Sequence, residues 1–151
     1  MGIDKDIQQY NFKSSRQKAM INLLYSYGWV LERIKDFLSK EDITHQQFNI
    51  LRILRGSLPH PLSTLQIRER MLDRMSDTSR IVDRLVAKEL AKKTTCEKDK
   101  RLVDVTITDK GLELLSRLDA KEDVSQDIMA NFSENDAEML SNLLDKLRNG
   151  E

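Results

Sequence analysis

The chain has 151 residues, 39% hydrophobic and 33% charged, with five glycines, two prolines and no net charge. One domain with a real core is the expectation at this length, and the composition is that of a helix-rich folded protein, not a disordered one. One cysteine excludes an internal disulfide framework and a multi-cysteine zinc site and fits a reducing cytoplasm, and no run approaches the roughly 20 apolar residues that span a bilayer.

The start of the chain lacks an apolar signal core, and Asp6 stands where a myristoylation motif needs Ser or Thr. Neutral net charge argues against a nucleic-acid partner until its distribution is considered. Residues 1–65 are net +3, residues 66–101 net +4 and residues 102–151 net −7. The acidic surplus sits in the last third, so the middle of the chain can present a basic face to phosphate.

Residues 1–13 are polar and irregular, with Ile7, Tyr10 and Phe12 scattered among them. A long helix begins at Ser14 or Ser15. Met20, Leu23, Leu24, Tyr27, Leu31, Ile34 and Leu38 recur at steps of three and four, which makes one apolar stripe. Trp29, Val30 and Phe37 add a second edge. Two readings stand for such a helix: a central core helix, or one that packs on its own domain and on a second copy.

The next helix starts at Thr44, where Thr44 and Gln47 form a capping box. It carries Phe48, Ile50, Leu51, Ile53 and Leu54, and Gly56 is its expected stop before Pro59 and Pro61. Ser63 and Gln66 make a second box that opens a short helix through about Met71. After a tight turn Ser76 is the expected cap of a helix to about Lys88. Two helices joined by a tight turn have helix-turn-helix geometry. His45 and His60 have no acidic or cysteine partner in a metal pattern, and no metal or cofactor is expected.

The helix at 76–88 buries Thr78, Ile81, Val82, Leu85 and Val86 on one stripe. Its other face carries Asp77, Arg80, Asp83, Arg84, Ala87 and Lys88. Arg80, Arg84 and Lys88 follow at i,i+4, a like-charge spacing that costs an isolated helix roughly 0.2–0.5 kcal/mol per pair. A row of cations with too few anions of its own suits an external anion, although a solvated face would look the same. Lys92 to Cys96 is β-prone, and Glu97–Lys100 is a charged tip. Arg101 to Thr108 then alternates, with Val103, Val105 and Ile107 on one face. This is a hairpin with a basic tip, which can enter a minor groove beside a helix in the major groove.

Thr108 and Asp109 open a further helix, expected to run through Leu112, Leu115, Leu118, Val124, Ile128 and Met129 to about Ala130. Gly111 in its first turn points to close packing. Ser133 to Asp136 opens the last helix, with Ala137, Leu140, Leu143, Leu144 and Leu147, ending at Gly150. The stripes of the first, fifth and last helices exceed what one small winged domain covers, so a second subunit is expected.

The fold expected is mainly α with a small antiparallel β wing. The stretch Asp99-Lys100-Arg101-Leu102-Val103-Asp104-Val105-Thr106-Ile107-Thr108 with Gly111 resembles the D-x-R-x-x-x-V-x-[LI]-T-x-x-G pattern of MarR-type (multiple-antibiotic-resistance regulator) transcription factors. Ser79 to Val86 is similar to that family's recognition-helix stretch, and Thr44-x-x-Gln47-Phe48-x-x-Leu51 to its second-helix start. The resemblance implies a winged helix-turn-helix at 44–108 flanked by dimerisation helices at 1–40 and 109–151, all in a single domain. It also implies a cytoplasmic, prokaryotic homodimer on double-stranded DNA at a pseudo-palindromic operator, repressing until a small aromatic or phenolic effector releases it. The recognition helix 76–88 would use Ser76, Asp77, Thr78, Ser79, Arg80 and Arg84 in the major groove. The wing 97–101 would place Lys98, Lys100 and Arg101 at the minor groove, with Asp99 steadying Arg101. Tyr25, Trp29 and Phe48 are candidates to line an effector cleft, against plain core packing.

Two positions depart from the family pattern. Glu89 stands where the family usually has Gly after the recognition helix, so a different helix exit is expected there. Ser79 replaces the commoner Thr and keeps the hydroxyl. Cys96 reads as a passive strand residue, with no His or second Cys near it in sequence. The alternative function is a winged-helix protein-interaction module without specific DNA binding. An enzyme is not expected, because the sequence has no phosphate-binding Gly loop, catalytic triad or metal cluster.

Overall fold

The computed structural model describes residues 2–150. They fall into two compact units, Met1–Lys121 and Glu122–Glu151. The first holds α1 (Ile3–Asp6), α2 (Ser15–Leu38), α3 (His45–Ser57), β1 (Leu62–Ser63), α4 (Thr64–Arg70), α5 (Thr78–Ala87), β2 (Ala91–Thr95), β3 (Val103–Ile107) and α6 (Asp109–Asp119). The second holds α7 (Val124–Ile128) and α8 (Glu134–Asn149). The protein is mainly α with a small antiparallel sheet, as expected, and no described helix is long and apolar enough to cross a membrane.

Local capping chemistry sets most helix starts. Ser14 caps α2 by accepting from Gln17 N. Thr44 with Gln47 and Ser63 with Gln66 form the two expected boxes at α3 and α4. In α3 the helix continues through Gly56 to Ser57, one residue past the expected stop. Gly56 sits inside the last turn with open space around its Cα, so it neither needs nor forces a left-handed exit. The irregular N-terminus expected at 1–13 instead contains the single turn α1, with Ile3 buried and Asp4 paired to Lys18 at 3.4 Å.

The core of the first unit lies where α3, α4, α5, β3 and α6 meet. Ile50, Leu51, Leu54, Ile67, Val82, Leu85, Val105 and Leu115 are essentially without solvent contact, joined by Leu38 from the end of α2. Each such side chain contributes roughly 1.5–3 kcal/mol through burial. Of the long stripe read on α2, only Leu38 is buried within the protomer, and Ile34 and Leu31 are half-buried. Met20, Leu23, Leu24 and Tyr27 stay exposed. The C-terminal end of α2 is therefore a core element of the first unit, and both readings of the helix stay open for its exposed apolar residues.

The sheet has the order β1-β3-β2. β2 and β3 pair antiparallel with Ala91 opposite Ile107, Lys93 opposite Val105 and Thr95 opposite Val103. β1 adds Leu62 opposite Val105 on the other edge, which the sequence reading did not anticipate. Thr108 caps α6 by accepting from Gly111 N at 3.1 Å, while its hydroxyl donates to Glu89 O at 2.7 Å. Gly111 is buried against Leu90 O and the Ile107 side chain, which leaves no room for a Cβ. The close packing expected there is present.

The helix expected to reach Ala130 ends at Asp119. Residues 120–123 leave the helix, and Asp123 caps the separate α7 by accepting from Ser125 N at 2.9 Å. The local reason is compositional: 119–123 offers no large apolar side chain to hold a helical turn, and an Asp at 123 competes for the backbone. In the second unit, Ser133 and Asp136 form a capping box and Gly150 ends α8 in the left-handed conformation, φ +74°. Met139, Leu143 and Leu147 form an exposed edge along α8.

Candidate nucleic-acid interface

α5 starts one residue later than expected. The cap is Asp77, whose carboxylate accepts from Arg80 N at 3.2 Å, and Ser76 lies before it, half-buried. Thr78, Val82 and Leu85 face the core and Ile81 and Val86 are half-buried. Thr78 is expected from the sequence both as a stripe residue and as a candidate contact, and its side chain takes the first place. It is 4% exposed, on the inward side of the first turn, so its side chain is withdrawn from the outer face. Asp77, Ser79, Arg80 and Arg84 are exposed.

Among the described residues, the Arg80 and Arg84 side chains make no ion pair or hydrogen bond. Asp83, an acid on the same face, is bound by Lys93 of β2 at 2.7 Å. The third cation of the row behaves differently. Lys88 is half-buried and donates to Asp42 O and, at 3.3 Å, to Gln47 Oε1. It belongs to the inner framework, holding the end of α5 to the α2–α3 connection. The outward row is therefore Arg80 and Arg84 alone.

The exit of α5 corrects the expectation for Glu89. The residue adopts the left-handed conformation, φ +61°, that the family's glycine would supply. Glu89 N bonds Val86 O and Leu90 N bonds Leu85 O, both at 2.9 Å, a Schellman closure sealed by the buried pair Leu85 and Leu90. Lys110 tethers the same corner through Lys88 O at 3.1 Å and Glu89 Oε2 at 3.5 Å. Cross-links from α6 thus hold Glu89 in a conformation its side chain disfavours.

At the wing tip, Asp99 O accepts from Leu102 N at 2.9 Å, and Cys96 N donates to Leu102 O at 3.0 Å. Asp99 also grips Arg101. Its carboxylate accepts from Arg101 N at 3.1 Å, Nε at 3.1 Å and Nη2 at 3.2 Å. The Arg101 side chain is nevertheless 90% exposed. The guanidinium beside it holds the Asp99 carboxyl below its usual range, with the Arg101 backbone N–H adding to the effect. Lys98 and Lys100 flank the pair in solvent. A clamped, outward guanidinium with two neighbouring ammonium groups is built to meet an anion.

The turn between α4 and α5 adds exposed residues of its own. Arg74 is exposed without a partner among the described residues, and Leu72 and Met75 are 87% and 93% exposed. No periodicity marks them, because a turn has none.

The three effector candidates differ in their surroundings. Phe48 is half-buried and packs edge-on against Phe37 at 6.3 Å between ring centroids, with Arg52 over its ring. Trp29 is stacked by Arg33 at 3.7 Å, and Tyr25 is exposed. Two surface hollows, about 550 Å³ lined by Asn135, Glu138, Met139, Asn142, Leu143 and Lys146, and about 580 Å³ on α6 around Leu112 and Arg117, include none of the three.

Residues 43–103 match the model of the MarR family. The HTH-type transcriptional regulator PecS of Dickeya dadantii (strain 3937) is 29% identical over 132 residues, 85% of this chain and 79% of PecS. A mutant MarR from E. coli, solved in complex with operator DNA, has a TM-score of 0.80 at 21% identity, covering 91% of this chain and 99% of that one. BpsR of Bordetella bronchiseptica, solved to explain regulation of its DNA binding by 6-hydroxynicotinic acid, has a TM-score of 0.76 at 20% identity, covering 87% and 99%. At these identities the two structures establish a shared fold. The stretch that builds the helix-turn-helix and the first side of the wing, residues 43–103, matches the MarR family model, and the chain shares the winged-helix fold of those two structures.

Proposed function

We propose that the chain is a homodimeric, sequence-specific DNA-binding transcriptional regulator, a repressor released by a small aromatic or phenolic effector. The observation that carries the reading is the pair of exposed arginines, Arg80 and Arg84, on a helix whose opposite face is core. α5 enters a major groove with Ser76, Asp77, Ser79, Arg80 and Arg84 along its leading edge. The wing follows the adjacent minor groove with Lys98, Lys100 and the Asp99-clamped Arg101. Segments 1–40 and 109–151 supply dimerisation, which the uncovered apolar faces of α2 and α8 support. Two copies would place their α5 helices about one helical turn apart, ~34 Å.

Tyr25 and Trp29, four residues apart on α2, and Phe48 of α3 would line the effector cleft. The BpsR relative supports the class of ligand, a small aromatic acid, and not the residues.

The test is fluorescence anisotropy of the full chain with duplexes selected from a random pool. Affinity should fall linearly on a log–log salt plot, by about 0.9 per phosphate neutralised. Selected duplexes should exceed random ones by at least roughly a thousandfold. Absence of any salt-sensitive binding retires this reading in favour of a winged-helix protein-interaction module.

A further inference from the structure

Single exposed apolar side chains are ordinary on a protein surface. Leu72 and Met75 differ in being held out by a tied turn. Leu72 N donates to Asn49 Oδ1 of α3 at 2.9 Å, Met75 N to Asp73 Oδ1 at 3.0 Å and Ser76 N to Asp73 O at 3.3 Å. Met71, one residue earlier, is buried in the core and pins the turn from inside. Met75 stands two residues ahead of Asp77, the cap of α5, and so at the end of the helix that faces base edges in helix-turn-helix docking. Exposed arginines, Arg70, Arg74 and Arg80, lie on either side of it in the chain, interleaved with Asp73 and Asp77. Among the base-edge groups that distinguish base pairs in the major groove, the one apolar feature is the thymine 5-methyl.

We propose that Met75, with Leu72 in the same turn, contacts the 5-methyl group of a thymine beside the base edges faced by the first turn of α5. The inference rests on the DNA-binding reading above and adds a specificity determinant to it. An unbranched, polarisable thioether on a fixed backbone suits a small apolar target.

The test starts from the duplex that the full wild-type chain selects from a random pool. Each thymine is replaced in turn by deoxyuridine, which lacks only the methyl. Wild type should lose roughly threefold to tenfold in affinity at one or two positions, the scale of burying one methyl group. Met75→Ala should show no loss at those positions and unchanged behaviour elsewhere, and Met75→Leu should restore the loss. Equal methyl dependence in wild type and Met75→Ala overturns the inference while leaving DNA binding intact. A Met75→Ala loss that is the same on every duplex, or a uniform insensitivity to deoxyuridine, also overturns it. A wild-type chain that retains no duplex at all overturns both readings.

Discussion

α5 and the wing both present arginine outward, but they hold it in opposite ways. Arg80 and Arg84 extend from a helix whose position is fixed by the core behind it, through Val82 and Leu85, and the side chains themselves are unrestrained. Arg101 extends from a hairpin tip with no core beneath it, and the restraint has moved into the residue itself, through one backbone and two side-chain hydrogen bonds to the Asp99 carboxylate. Where burial positions the backbone, the cation can be left free to adapt. Where it does not, an ion pair supplies the order at the cost of placing an anion beside the cation. The two sites should therefore fail differently when altered.

The largest effect should come from the joint between the two regions. The backbone leaves α5 at Leu90 and returns from the wing at Ile107, and both press on Gly111. In an open helical position Gly→Ala would stabilise by about 1 kcal/mol. Here the new Cβ meets the Leu90 carbonyl and comes within 2.7 Å of Ile107 Cγ1. A backbone carbonyl cannot rotate away, so Gly111→Ala should lower stability by about 2–3 kcal/mol, read from the urea midpoint. An unchanged midpoint would mean that the joint is looser than the packing implies.

Next comes the helix. Arg84→Ala should weaken binding to a selected duplex by about tenfold to a hundredfold, the scale of one arginine–base contact, with thermal stability unchanged. Lys88→Met makes the informative partner. Lys88 lies four residues further along the same helix but is spent on Asp42 O and Gln47 Oε1. It should shift affinity by less than about twofold and instead lower stability by roughly 1 kcal/mol. If both variants lost affinity equally, the division of this helix into an outer and an inner cation would be wrong.

The wing should respond in specificity. Asp99→Asn removes an anion, which favours phosphate by charge alone, and also removes the clamp that aims Arg101. Affinity for random duplex should hold or rise while the preference for the selected duplex shrinks several-fold. The pH dependence has a definite sign. Because Arg101 lowers the Asp99 carboxyl below its unfolded value, the clamp is fully formed above the ordinary carboxylate range and is lost as pH falls through that lowered value. Specificity in the wild type should stay flat on this account between pH 7 and 5. A decline over that interval that Asp99→Asn abolishes would show that the clamp is weaker than its geometry.

These contrasts also explain what the sequence made visible. The capping boxes Thr44–Gln47 and Ser63–Gln66 join residues three apart, so spacing alone reveals them, while the equally local clamp Asp99–Arg101 is implied by the resemblance of the wing stretch. The alternation from Val103 to Ile107 is likewise local. Hidden features depended on distant partners. β1 is two residues long, too short to alternate, and exists because β3 passes beside it. Lys88 turns inward toward a carbonyl 46 residues away, and Lys93 takes Asp83 from across a strand. The stripe on α2 is continuous in sequence, yet the protomer buries only its end, because periodicity reports an apolar face and not what covers it.

The smallest effect should be a gain. Glu89 adopts φ +61°, a conformation that costs a residue with a Cβ about 1–2 kcal/mol. Glycine removes that cost but loses roughly 0.5–1 kcal/mol of its own to backbone entropy. It also gives up an exposed 3.5 Å ion pair with Lys110 worth a few tenths of a kcal/mol. The balance predicts that Glu89→Gly stabilises the fold by about 0.5 kcal/mol, measured as a small rise in the urea midpoint with the slope unchanged. DNA affinity should not move, because the Schellman bonds from Glu89 and Leu90 already fix the exit geometry that glycine would adopt. A changed operator preference in this variant would instead show that Glu89 strains α5 against the wing, and that the two regions are set relative to each other by a residue facing neither groove.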